Sequence, residues 1–340
     1  MTTREMLVVS GAQVRDVLAD QRDAVMDVVR RAYVTFGEGK ASPPKSQFLR
    51  FPGRDRERII ALPAYLGGEW ELASLKWIAS FPNNTQHGLD RASATLVIND
   101  LETGYPLAML ESSTISAWRT AASAATVGRI IHPSATASVG VIGCGLISYE
   151  TVLFLRAAFD KLDKLYVYDL SEEAARSFAA RVAAVAPELS DWEWLPSSEA
   201  LLETADVTVL GTTAINPHIS AIPAAAHPRT ILHVSLRDLA PSCLLGADNT
   251  ADDITHVNQA RTSVHLLSEE LGHVDFMRSG AADLISGAAV PRADNNPLAI
   301  FHPFGLGMLD LAVGAHVLKL ARERGVGVSI PDFIPAPWRG

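Results

Sequence analysis

A chain of 340 residues, 48% apolar and 20% charged, is long enough for two cores, and no apolar run in it approaches the ~20 residues that span a bilayer. A formal net charge of −9 argues against a nucleic acid as the main partner, so an anionic ligand must be met by locally placed Lys and Arg. Two cysteines make no disulfide framework and the first residues lack a signal-peptide profile, so a reducing cytoplasm is expected.

Residues 10–38 read as one amphipathic helix. Ser10 is the candidate N-cap, and Val14, Leu18, Val25, Val28, Val29 and Tyr33 recur at helical spacing up to the stop at Gly37 and Gly39. Strands are expected at 48–51 and 59–62, with the charged stretch 52–58 as a solvated turn. A further strand, 72–81, carries Lys76 between Leu75 and Trp77, and 82–88 is a polar loop long enough to line a site. Residues 95–98 and 106–110 suit a hairpin, and the alanine-rich 114–130 a helix with Arg119 in its first turns, broken by His132-Pro133.

From residue 137 strand and helix alternate, the rhythm of a parallel doubly wound sheet. Strands are expected at 137–142, 164–169, 192–195, 206–210 and 230–235, and helices between them include 172–185. Later helical pieces fall at 265–271, 281–286 and 307–324, before an extended tail punctuated by Pro331, Pro335 and Pro337. The expected fold class is α/β: a Rossmann-type domain, 126–304, inserted into a discontinuous α+β substrate domain made of 1–125 and 305–340. A hydride would pass in the cleft between the two.

The strongest local signal is at 136–148. An apolar run ends in Gly143-Cys144-Gly145-Leu146-Ile147-Ser148, and a helical pattern follows at once. Gly143 allows the turn, Gly145 lets the backbone approach a pyrophosphate, and the N–H groups of a helix starting at Leu146 and Ile147 face the phosphates. Ser148 replaces the third glycine and is still small. Asp169, ending the next strand, suits a ribose 2′-OH and would repel a 2′-phosphate, which favours NAD; the plain alternative is an exposed turn residue. Thr212, Ser235 and Leu236 follow later strands at the carboxyl edge, where open α/β sheets bind their ligands.

Asp238, at the same edge, is a candidate for proton transfer, or else an N-cap for the short helix after Pro241. Lys76 either points to water or meets a carboxylate, because burial disfavours a lone ammonium. Arg119 stands in a helix whose one other charge is Arg129, near its far end, and bidentate carboxylate binding would account for it; Arg50 and Arg91 are further cations in this half. No metal is expected: His265, Glu269 and His273 share a spacing of four, but Gly272 ends that helix. Cys144 has no base placed for it and reads as a small loop filler.

Leu62-Pro-Ala-Tyr65, Lys76, Asp100–Gly104 with Pro106–Ala108, Ala117–Ala122, the glycine turn and Phe304–Asp310 together resemble the ornithine cyclodeaminase and mu-crystallin family, in order over nearly the whole chain. The resemblance implies an NAD(P)-binding Rossmann domain and a substrate domain that dimerises through its sheet. It also implies carboxylate-binding Arg50, Lys76 and Arg119, cofactor contact at Thr120, and a catalytic aspartate at Asp238, with Lys76 as the alternative base. Ser235–Pro241, Gln259–Leu266 and Pro303–Ala312 are similar to one branch, a dehydrogenase of 2,3-diaminopropionate biosynthesis in siderophore and peptide-antibiotic pathways. That branch implies oxidation of N-(2-amino-2-carboxyethyl)-L-glutamate by NAD. Arg91 stands where the cyclodeaminases carry a small residue, as a substrate with three carboxylates would require. The rival readings are an ornithine cyclodeaminase, an imine reductase or amino-acid dehydrogenase of the family, and a non-catalytic binding protein.

Overall fold

Ser10 does cap a helix, but a shorter one than its periodicity suggests. The computed structural model describes residues 5–224, 227–293 and 296–338; residues 1–4 and 339–340 of the expected substrate domain, and 225–226 and 294–295 of the expected Rossmann domain, lie outside them. After β1 (Met6–Val9), Ser10 and Gln13 form a reciprocal capping box that starts α1 (Gly11–Leu18). The single helix expected over 10–38 is corrected to two. Asp20 takes a left-handed φ of 58°, the chain breaks, and α2 (Arg22–Gly37) begins afresh. The break leaves Val17, Leu18, Val25, Val28 and Val29 all buried.

The strands β2 (Ala41–Ser42), β3 (Gln47–Phe51), β4 (Arg54–Leu66), β5 (Leu72–Ser80), β6 (Ala92–Asp100) and β7 (Pro106–Glu111) follow, then α3 (Ser113–Ile131). The turn expected over 52–58 is corrected as well, since β4 already runs from Arg54 and its charges sit on an exposed strand end. The polar loop after β5 is a 3-10 helix, Pro82–His87.

Then come β8 (Thr136–Ile142), α4 (Leu146–Ala158), β9 (Lys161–Tyr168), α5 (Glu172–Val185), β10 (Trp192–Trp194), α6 (Ser198–Thr204), β11 (Val207–Leu210), β12 (Arg229–Leu232), β13 (Asp248–Ala251), α7 (Ile254–Val257), α8 (Ser263–Leu271), β14 (Met277–Gly280), α9 (Ala281–Ser286) and β15 (Leu298–His302). The chain closes with α10 (Gly307–Glu323) and β16 (Val328–Ile330), so the expected tail contains an edge strand, antiparallel to β1. The strand expected at 230–235 stops at Leu232, where the chain turns toward its carboxyl-edge loop.

The chain divides between Arg119 and Thr120 and between Gly305 and Leu306, the second unit lying within the sequence of the first. The first unit holds a mixed sheet in the order β16-β1-β7-β6-β5-β4-β2, with β3 beside β4. One face of this sheet packs against α10, which also meets α1 and α2. The second unit holds an eight-stranded sheet, β10-β9-β8-β11-β12-β15-β13-β14, in which every pairing is parallel. It is a Rossmann-type sheet. Strands β8, β9 and β10 run outward one way and β11 and β12 the other, so the reversal lies between β8 and β11, where such sheets bind ligands at their carboxyl ends. Among the described residues no helix is long and apolar enough to cross a membrane.

Candidate active site

The carboxyl end of β8 is built as a cradle. Gly143 sits at φ +90°, and a Cβ there would come within 2.7 Å of the Gly211 carbonyl oxygen and 3.0 Å of Thr212 Cα. Its N–H donates to Tyr168 O at 3.0 Å, while Ser148 Oγ donates to Gly143 O at 2.6 Å. Ser148 therefore fastens the turn as well as leaving room beside it. Gly145 precedes α4 with no side-chain cap, and a Cβ on it would meet nothing within 4 Å. Open space thus lies before the first turn of α4, whose N–H groups at Leu146 and Ile147 have no partner within the helix. This fits a pyrophosphate, with the helix dipole favouring its charge. Asp169 Oδ2 accepts from the Cys144 N–H at 2.9 Å and its Oδ1 from the Ser171 N–H at 3.0 Å, so the carboxylate is tied to the same turn. Arg176, in α5, is a cation that could meet a 2′-phosphate, but its Nε donates to Glu172 Oε1 at 2.8 Å.

Replacing Gly143 by Ala forces a left-handed backbone on an L side chain. Dinucleotide affinity is expected to drop about tenfold or more, the equivalent of 1–3 kcal/mol of strain. A fluorescence titration with NADH reads this directly, and an affinity within twofold of wild type would remove the turn from the site.

Thr212, Ser235 and Asp238 come together at the ends of β11 and β12. Asp238 is 0% exposed. Its Oδ1 accepts from Thr212 Oγ1 and from His218 Nε2 at 3.0 Å, and its Oδ2 is hydrogen-bonded by Ser235 Oγ. Burial pushes this carboxyl up, but the hydrogen bonds it accepts from the Ser235 and Thr212 hydroxyls hold it below the usual range. The N-cap alternative is excluded, because the turn Pro241–Leu244 is preceded by Ala240 and has no side-chain cap. Leu236 takes φ +70°, a conformation that L residues resist, and is pinned there by Ser263 N–H and Oγ donating to its carbonyl.

Behind Asp238 lies a chain of buried polar groups whose protons can be assigned. Asn249 Nδ2 donates to the carbonyls of Leu244 and Ala247, so its Oδ1 faces His302 Nε2 at 3.2 Å and must accept. His302 Nδ1 then carries a lone pair and accepts from His233 Nδ1 at 3.2 Å, leaving His233 Nε2 to accept the Asp238 N–H at 3.1 Å. Each ring thus has one accepting nitrogen and is neutral, the form that burial favours by lowering both pKa values.

In the first unit, Lys76 is 2% exposed and does not reach water. Its Nζ donates to Asp310 Oδ2 at 2.7 Å and Ser116 Oγ at 3.1 Å, and Arg119 Nε donates to Asp310 Oδ1 at 3.2 Å. The carboxylate that Lys76 meets is the protein's own. Burial, opposed by Asp310 and reinforced by Arg119, lowers the Lys76 pKa from 10.5 to about 8. Burial also acts against the Asp310 charge, but Arg119 and Lys76 together hold its pKa below the ordinary value. With Lys76 protonated, the cluster carries two positive charges against one negative charge.

Arg50 pairs across strands with Arg58, and Arg58 with Ser80. Even spacing along β4 and β5 puts these on the Lys76 face, four residues or about 13 Å along the strand. Arg50 itself is exposed and lies over the Phe48 ring at 5.7 Å. Arg91 is half-buried, and its pKa is lowered by burial and by the nearby charge of Arg56. Thr120, next to Arg119 along α3, is half-buried.

Asp310, Ser116, His218, His233, His302 and Arg58 escaped the sequence reading. Asp310 had a signal, being the one acid in the apolar run 306–318. His233 directly follows β12 and His302 ends its parallel neighbour β15, a closeness visible only once that pairing is known. His265 Nε2 lies 3.7 Å from Glu269, while His273 lies beyond the left-handed Gly272 and faces Asp275. Among the described residues no group of three or more His, Cys, Asp or Glu could hold a metal ion. Burial, and then Asp169, push the Cys144 thiol up to about 12, which leaves it unreactive.

A model of the ornithine cyclodeaminase/mu-crystallin family matches residues 5–325. The chain is 25% identical over 333 residues to an N-((2S)-2-amino-2-carboxyethyl)-L-glutamate dehydrogenase of Staphylococcus aureus, covering 96% of this chain and 98% of that one. An archaeal alanine dehydrogenase dimer with bound NAD superposes with a TM-score of 0.84 at 25% identity, over 96% of this chain and 99% of the other. The fold is also that of a Thermococcus litoralis Delta(1)-pyrroline-2-carboxylate reductase in complex with NADH and L-proline, with a TM-score of 0.89 at 22% identity over 96% and 100% of the two chains.

Proposed function

The chain belongs to the ornithine cyclodeaminase/mu-crystallin family, and from that premise we propose that it oxidises N-(2-amino-2-carboxyethyl)-L-glutamate with NAD and hydrolyses the product. It is an NAD-dependent oxidoreductase acting on the CH–NH bond of an amino acid or amino-acid conjugate. The net reaction takes substrate, NAD+ and water to 2,3-diaminopropionate, 2-oxoglutarate, NADH and a proton. NAD, when bound, takes up the hydride released from the glutamyl Cα.

The observation that carries the reading is the buried excess of positive charge at Lys76, Arg119 and Asp310. A substrate carboxylate balances it, and fixing that carboxylate fixes the carbon beside it, so positioning supplies much of the rate. Arg50, Arg58 and Arg91 are the cations for the remaining carboxylates, which suits a conjugate better than a simple amino acid. Thr120, Gly143, Gly145, Leu146, Ile147, Asp169, Thr212, Ser235 and Leu236 hold the cofactor. Asp238 is the carboxylate on which the proton steps depend. The domain assignment, 126–304 for NAD and 1–125 with 305–340 for substrate, belongs to the same proposal.

The face of the first sheet opposite Lys76 exposes Leu49, Leu75 and Trp77, the last two at 39% and 42%, and a second copy of this chain is the proposed cover. Cytoplasmic residence suits two free, buried cysteines. Service in siderophore or peptide-antibiotic biosynthesis is the proposed context.

The test is a screen of amino acids and N-carboxyalkyl conjugates with NAD and NADP, following both NADH and products. Net NADH with diaminopropionate and 2-oxoglutarate supports the reading; proline from ornithine without net NADH would replace it with a cyclodeaminase. The pH profile reports on Lys76. As an ammonium clamp it is lost as pH rises through about 8, so kcat/KM is expected to fall there by about tenfold per pH unit. The Lys76→Met variant should lack that limb. A rise through the same pH would make Lys76 the base instead.

A further inference from the structure

We propose that His218 is the proton-carrying group of this active site and that Asp238 orients it, a proposal that rests on reading the chain as an amine-oxidising enzyme. The sequence pointed to Asp238 as the base, but that carboxylate is wholly enclosed and both its oxygens are engaged. His218 is the opening from it. The ring is 40% exposed, its Nε2 lies 3.0 Å from Asp238 Oδ1, and its backbone N–H donates to Asp238 O at 2.9 Å. A carboxylate only accepts, so Nε2 carries the hydrogen and Nδ1 of the neutral ring carries the lone pair. That nitrogen makes no hydrogen bond among the described residues.

Of the two rings against Asp238, the other is unsuited to the task. His233 is 0% exposed, and both its nitrogens are committed, to His302 and to the Asp238 N–H. The charged or titratable groups that His218 feels are Asp238, His233 and Glu199. Thr212 shares Asp238 Oδ1 with His218 and directly adjoins the glycine turn through Gly143, so the dyad is built onto the cofactor loop itself.

The chemistry balances with one base. His218 Nδ1 takes a proton from the substrate's protonated secondary amine, freeing the nitrogen lone pair. As the carbon gives up its hydride, that pair becomes the second bond of C=N. The imidazolium releases its proton to solvent. The neutral ring then takes a proton from the water that attacks the C=N carbon and returns it to nitrogen; as the C–N bond breaks, the new hydroxyl gives its remaining proton through the same ring to the departing amine, leaving a ketone and a primary ammonium.

Two variants and one spectrum test this. His218→Gln keeps a donor for Asp238 but has no base, so kcat is expected to fall about 10²- to 10³-fold with NADH affinity within twofold of wild type. His218→Ala is expected to lose as much and to recover at least tenfold on adding imidazole. In ¹⁵N NMR of histidine-labelled protein without nucleotide, His218 is expected as the Nε2–H tautomer, a bias that Asp238→Asn removes. Turnover of His218→Gln within threefold of wild type, or loss in both variants without imidazole rescue, would overturn the proposal. An Nδ1–H tautomer in wild type would do the same, and that measurement decides even if every substrate in the screen fails and the proposed reaction with it.

Discussion

Replacing Asp310 by Ala is expected to destabilise the protein by about 3–5 kcal/mol, the range for removing one partner of a buried ion pair. Lys76 and Arg119 would then share a dry space with no counter-charge from the protein. Lys76, already lowered to about 8 with Asp310 in place, would shed its proton near neutrality, so KM should rise along with the loss of stability. Asp310→Asn keeps the shape and one acceptor, and should fall between the two. The pH dependence has a defined sign. Because the folded-state pKa of Asp310 is depressed, its contribution is present above the ordinary carboxylate range and is lost as pH falls through the folded value. The gap between wild type and Asp310→Ala in denaturant unfolding should therefore be full at pH 7 and shrink in acid. An Asp310→Ala variant as stable as wild type at pH 7, with unchanged KM, would show that the cluster is neither a structural ion pair nor a carboxylate clamp.

That cluster also marks where sequence reasoning loses its grip. Lys76 and Arg119 could be singled out because a charge in an apolar segment is a local anomaly. The group that neutralises them lies 234 residues beyond Lys76, and no periodicity connects the two. The glycine turn is the opposite case, since its meaning is contained in consecutive residues: a buried strand, a residue forced to φ +90°, an uncapped helix start. Strand β13 was missed because its residues, Asp248-Asn-Thr-Ala, carry no apolar pattern, although all four are buried. Their polar atoms are satisfied from elsewhere, Asp248 by Arg278 and Asn249 by backbone carbonyls. Strand β16 was missed for the converse reason, being exposed along its whole length. Helices with a clear apolar stripe and good caps, such as α5 behind Ser171, were legible to within a residue.

Asp238 shows how a residue can be identified correctly and its surroundings remain hidden. Its neighbours Thr212, His218, Ser235 and His233 come from the loops after two parallel strands, and only the sheet order brings them to one carboxylate. Replacing Asp238 by Asn is expected to lower kcat by about 10²- to 10⁴-fold, the range for losing acid–base function, while NADH still binds. The amide is nearly the same size, so the cage persists, but no negative charge remains to fix the His218 tautomer or to stabilise the imidazolium once the ring takes a proton. The defect should therefore fall on kcat far more than on KM. Because the folded-state pKa of Asp238 is depressed, its charge also adds stability that is present at neutral pH and lost as pH falls, so the variant should unfold more easily at pH 7 and approach wild type in acid. Near-normal turnover in a folded, NADH-binding Asp238→Asn protein would take the carboxylate, and the dyad built on it, out of the reaction.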